Sequence, residues 1–176
     1  MIMYDVAISY HNEKYKEAKK IYYFLNSEGW NVFFAPEKQQ EMVSEKLDVK
    51  LYNLYKNQSY LKLLLVSQQY LISEWTQLEK RMALDSTKED NKRLIIVNYT
   101  KENLSEELSE FIYINGMNKT EDQIAAFVDE RLKSLNRQSG LESNTQYKSQ
   151  VISSYVNNGI NFGNNTKIRG DINFGK

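Results

Sequence analysis

This chain offers few side chains to reactive chemistry. Among its 176 residues there is no cysteine and one histidine, His11, which leaves no thiolate nucleophile and no histidine-based metal cluster. Carboxylates, hydroxyls and aromatic rings remain. Glu45 and Asp48 stand three apart and share one face of a helix if their segment is helical, with Glu41 just upstream. Trp75 and Glu79 stand one helical turn apart. Ser9 with Tyr10, and separately Ser67, close apolar runs.

The elements that must position these residues can be read from hydrophobic period. Residues 3–10, 31–35, 60–66, 93–99 and 111–115 form short apolar or β-branched runs of the kind covered on both faces of a parallel sheet. Helical spacing fills the gaps. After Asn12, a candidate N-cap, Tyr15, Ala18, Ile21, Tyr22 and Leu25 recur three or four apart, and Gly29 marks the stop. Leu47, Leu51, Leu54 and Tyr55 repeat the pattern, and Ser73 is placed to cap a helix with Trp75, Leu78, Met82 and Ala83 inward. Thr120 with Gln123 predicts a capping box opening a last helix on Ile124, Phe127, Val128, Leu132 and Leu135.

Alternating strands and helices imply right-handed βαβ units and a doubly wound sheet. If the strand order is 2-1-3-4-5, ligands belong in the crevice between the ends of strands one and three. Its walls are then residues 9–12, 35–44 and 67–70. No glycine follows the first strand, which excludes a P-loop or a GxGxxG turn, and Ser67 stands where a phospho-receiver would need an acid.

Twenty-three basic residues balance twenty-three acidic ones, so no whole-protein field recruits nucleic acid or an anionic membrane. No apolar run approaches the ~20 residues of a membrane span, and the N-terminus does not resemble a signal peptide. A cytoplasmic protein is the expectation. The composition turns to Ser, Asn, Gln and Gly after residue 136, which predicts a compact domain over 1–136, a polar linker over 137–155 and a separate tail over 156–176.

YDVAISY (4–10), EMVSEKLDVKLYNLY (41–55) and LLLVSQQYLISEWTQLE (63–79) together resemble a Toll/interleukin-1 receptor (TIR) domain of the bacterial type. The likeness extends over about residues 3 to 135. It implies a flavodoxin-like, five-stranded parallel sheet flanked by helices. It also implies the activity of many bacterial and plant relatives, cleavage of NAD⁺ at the nicotinamide ribosyl bond in antiphage or cell-death signalling. NAD⁺ is then the substrate, and neither cofactor nor metal is expected. The chemistry resembles glycoside cleavage, in which a carboxylate steadies an oxocarbenium-like sugar.

The resemblance places the catalytic glutamate on the second helix, sixteen to eighteen residues before the serine that ends strand three. This chain has Val49 and Leu51 there. Glu45 and Asp48 become the catalytic candidates, with Glu41 behind them, and Ser9, Tyr10, Phe34, Ser67, Trp75 and Glu79 the substrate-binding set. Each has an ordinary structural alternative: a solvated helix face among Lys46 and Lys50 for the acids, and core or strand-end positions for the others. A non-catalytic TIR adaptor that assembles into filaments and recruits an effector is therefore the second reading. A nucleoside deoxyribosyltransferase-like enzyme on a similar sheet is a third.

The tail carries INFG twice, at 160–163 and 172–175. Ile160 with Phe162, and Ile172 with Phe174, would share strand faces. Neither copy is long enough to fold alone, but two copies paired and stacked between molecules would build an amyloid-like self-assembly motif. Such a tail predicts a homo-oligomer and a partner carrying a similar segment.

Overall fold

The computed structural model describes residues 3–38, 47–88 and 90–135, with backbone alone at 38, 47, 48 and the strand pairs 161–162 and 166–167. Along the domain run β1 (Tyr4–Tyr10), α1 (Tyr15–Ser27), β2 (Val32–Phe33), α2 (Leu47–Tyr52), a π-helical turn (Asn53–Gln58), β3 (Ser59–Val66), α3 (Gln68–Ile72), α4 (Glu74–Thr87), β4 (Leu94–Asn98), α5 (Glu106–Ser109), β5 (Ile114–Asn115) and α6 (Glu121–Ser134). The sheet order is β2-β1-β3-β4-β5 and every pairing in it is parallel. This is the expected flavodoxin-like architecture, with the order reversing between β1 and β3. The edge strands are shorter than their apolar runs, which limits the unpaired backbone an edge exposes.

Alternate side chains of the central strands feed two cores. Val6, Ile8, Leu61, Leu63, Leu65 and Val97 pack beneath α1 and α6, while Tyr4, Ala7, Leu64, Val66 and Ile96 pack against residues from α2, the π turn, α3 and α4. At roughly 1.5–3 kcal/mol for each large apolar side chain removed from water, these layers are the main force holding the sheet together.

Local chemistry sets the helix ends. His11 caps the 3-10 turn Asn12–Lys14 that leads into α1, its Nδ1 accepting the Glu13 N–H at 3.4 Å, so Asn12 lies inside that turn, and α1 itself starts at Tyr15 without a side-chain cap. Helix α1 stops in a Schellman motif, with Gly29 at φ 83°, Gly29 N–H donating to Asn26 O and Trp30 N–H to Leu25 O. Trp30 then donates its indole N–H to Asp129 at 2.9 Å, tying α1 to α6. The Thr120 and Gln123 capping box forms as expected.

Two elements depart from the sequence reading. Helix α3 had no apolar period to announce it; it exists because Ser67 Oγ accepts the Tyr70 N–H at 3.2 Å. Helix α4 is rotated. Its buried residues are Thr76, Glu79, Lys80, Ala83 and Thr87, with Leu78 and Met82 at the margin of the core and Trp75 on the surface.

Beyond α6 the predicted linker, Ile160, Ile172 and Phe174 lie outside the described residues. Asn161–Phe162 pairs antiparallel with Thr166–Lys167. The second INFG copy lies outside the described residues.

Candidate functional site

At the carboxyl end of β1 the pleat sends neighbouring residues to opposite faces. Tyr10 turns toward α1, where Phe34 lies wholly buried between it and Tyr22, with ring centroids 5.5 and 5.1 Å away and planes nearly parallel. Tyr15 closes the group at 5.9 Å from Phe34. Phe34 and Tyr10 therefore fill an aromatic core next to the crevice and are not brought together with the other expected binding residues.

Ser9 turns the other way and is fully buried. Its hydroxyl donates to Glu79 Oε2 at 2.5 Å and lies 2.8 Å from the Tyr70 hydroxyl. Since Ser9 has one proton and gives it to Glu79, Tyr70 donates to Ser9, and the three groups form a chain from phenol to serine to carboxylate. Ser67 sets this up indirectly: by capping α3 it fixes Tyr70 facing inward. Thr76 donates to Tyr70 O at 2.5 Å, and Gln77 donates to Tyr70 O and Leu71 O at 3.1 and 2.9 Å, pinning the turn that starts α4.

Glu79 is 5% exposed. Burial raises its pKa to about 7, although the hydrogen bond from Ser9 and the nearby Trp75 and Tyr55 pull the other way. Desolvation outweighs these neutral groups, and the acid is poised near neutrality. Tyr70 and Tyr55 are pushed well above the usual phenol range, by burial first and the Glu79 charge second. Trp75, one turn before Glu79, is 39% exposed and marks where the cluster approaches solvent.

Among the described residues, the carboxylate held against Ser9 is Glu79, which the sequence reading assigned to substrate binding. Glu41 and Glu45 lie outside the described residues, and Asp48 is described only as backbone within α2. Val49, at the counted catalytic position, is 48% exposed, and Leu51 is buried in the second core. Tyr55 and Tyr70 were missed as site residues. A signal for Tyr70 was present, three places after Ser67; none existed for Tyr55, because a π-helical turn has no sequence period of its own. No group of three or more His, Cys, Asp and Glu among the described residues could hold a metal ion, and none of the described helices is long and apolar enough to cross a membrane.

Comparison with curated proteins returned no match. Among solved structures, the TIR domain of the Toll-related receptor TRR-2 from Hydra magnipapillata is similar at 14% identity and TM-score 0.59, covering 77% of this chain and all of that one. A TIR-STING receptor from C. gigas, determined in complex with 2',3'-cGAMP, is similar at 20% identity and TM-score 0.57 over 77% of this chain; the chain spans 40% of that receptor's length. At these identities the likeness concerns the fold. The family model described as TIR domain matches residues 6–132, the span from β1 through α6 that holds Ser9, Tyr70 and Glu79, and the chain belongs to the TIR domain family.

Proposed function

We propose that this TIR domain cleaves NAD⁺ at the bond between nicotinamide and ribose, with Glu79 as the acting carboxylate. The observation that carries the proposal is the short Ser9–Glu79 hydrogen bond in the crevice where the sheet order reverses. When the C1′–N bond breaks, its electron pair neutralises the pyridinium nitrogen, nicotinamide leaves and positive charge develops on the ribosyl C1′ and ring oxygen. Ionised Glu79 faces that charge in a site of low dielectric, where a fixed carboxylate acts far more strongly than in water. Water then attacks C1′ and gives up one proton, yielding ADP-ribose; attack by a hydroxyl of the same molecule yields a cyclic product. Trp75 is the aromatic surface available to the nicotinamide or ribose beside the acid.

The reading extends to a cytoplasmic effector of bacterial antiphage or cell-death signalling that acts when oligomerised, with residues 156–176 supplying the contact that raises local concentration. The burial of Glu79 favours a second reading. A carboxylate already occupied by Ser9 suits a non-catalytic adaptor whose surfaces recruit another effector.

Following nicotinamide release from NAD⁺ across a range of protein concentrations separates the two. The enzyme reading predicts a specific rate that rises with concentration and falls when 156–176 are deleted. No release from assembled protein leaves the adaptor.

A further inference from the structure

Four polar side chains meet in the buried cluster, and three have hydrogen-bond partners. The fourth, Tyr55, is wholly buried, and its hydroxyl is sealed from solvent without a well-aligned hydrogen bond. Phenylalanine would fill the same space with no polar atom to satisfy. The hydroxyl is nevertheless close enough to Ser9 and to the Glu79 carboxylate for both to act on its ionisation. Tyr55 also sits on the π-helical turn, a departure from the α-helical ladder that recurs at functional sites.

The donor count around Glu79 shows what this hydroxyl is placed to do. Ser9 faces the carboxylate from β1, Tyr55 from the π turn, Tyr70 from α3, and Trp75 from its own helix, while Tyr10 senses its charge from the other face of the sheet. Among the described residues no lysine or arginine acts on its ionisation. An anion at this position therefore depends on neutral donors, and a carboxylate offers about four acceptor positions for them. Ser9 fills one with a well-aligned hydrogen bond.

Building on the reading of Glu79 as the acting carboxylate, we infer that Tyr55 is a positioning residue of this site, whose idle hydroxyl turns onto Glu79 when the acid ionises. It holds the charge, and the orientation of the carboxylate, without a cation that would repel the developing positive sugar.

The test is Tyr55→Phe in the full chain, with the Glu79 carboxyl followed by ¹³C NMR through a pH titration and nicotinamide release measured across the same range. Loss of a donor to the ionised form should raise the Glu79 pKa by about one to two pH units. The acid limb of kcat should shift by the same amount, with kcat at pH 7 lowered roughly tenfold and KM within about twofold. An unmoved titration with an intact fold overturns the inference, whatever the activity. A residue that only packs would change the melting temperature and leave the titration in place. If Tyr55→Phe does not fold, difluorotyrosine at position 55, a stronger donor, should lower the Glu79 pKa, and no downward shift overturns the inference equally. Absence of nicotinamide release from the wild type removes the enzymatic reading alone, because the NMR titration still decides the role of Tyr55.

Discussion

The two faces of the sheet receive the end of β1 with opposite chemistry. On one, Tyr10 enters a stack of rings around Phe34 and the α1 and α6 core. On the other, Ser9, one residue earlier, meets Tyr70, Glu79 and Tyr55. The same strand end thus finishes a core on one side and starts a polar site on the other. The aromatic side contributes through area removed from water and through ring packing, which hold the strand ends still. The polar side does the reverse: it keeps an acid where water cannot fully solvate it, a burden a purely structural face would not carry.

Substitutions on the two faces should therefore fail in different ways. Phe34→Ala, which empties a fully buried ring position, should destabilise the fold by about 3–5 kcal/mol in chemical denaturation, while the pH dependence of any activity in the folded fraction stays where it was. A shift of that dependence would mean that the faces are not separate.

The next effect concerns pH. Burial holds the Glu79 pKa at about 7, above its value of 4.5 in water, so the folded state binds the proton more tightly than the unfolded chain. The resulting stabilisation is complete below pH 4.5 and is lost as pH rises to 7, on the order of 3 kcal/mol for this group. Denaturation of the wild type against Glu79→Gln over this range should reveal it as a difference that grows with pH in favour of the variant. A flat difference would show that Glu79 is not desolvated.

Ser9→Ala is the smallest of the three. Removing a hydrogen bond to a charged acceptor should cost about 1.5–3 kcal/mol at pH 8, and less at pH 5, where Glu79 is protonated. Equal losses at both values would place the importance of Ser9 in packing.

The sequence announced the sheet plainly, because five apolar runs separated by helical periods leave few ways to connect them. It was less open about the site. Trp75, Leu78 and Met82 suggest an inward stripe on α4, but the tertiary environment offers Ser9 and Tyr70 on the other side, and the helix turns Glu79 and Thr76 inward to meet them. Hydrophobic period cannot foresee a buried acid whose partners are sixty or seventy residues away. Counting back from Ser67 along the chain pointed at Val49, whereas the acid that reaches Ser9 follows Ser67. The π turn that presents Tyr55 lay beneath an ordinary helical pattern, and the cap made by Ser67 became meaningful only once Tyr70 was seen to reach Ser9.

Whether Glu79 carries the chemistry is tested most directly by nicotinamide release from NAD⁺ by Glu79→Gln, set against the double variant Glu45→Gln with Asp48→Asn at equal concentration of folded protein. The account predicts that Glu79→Gln lowers the rate by roughly a hundredfold or more and that the double variant stays within a few-fold of the wild type. Full activity in Glu79→Gln, with loss in the double variant, would contradict it.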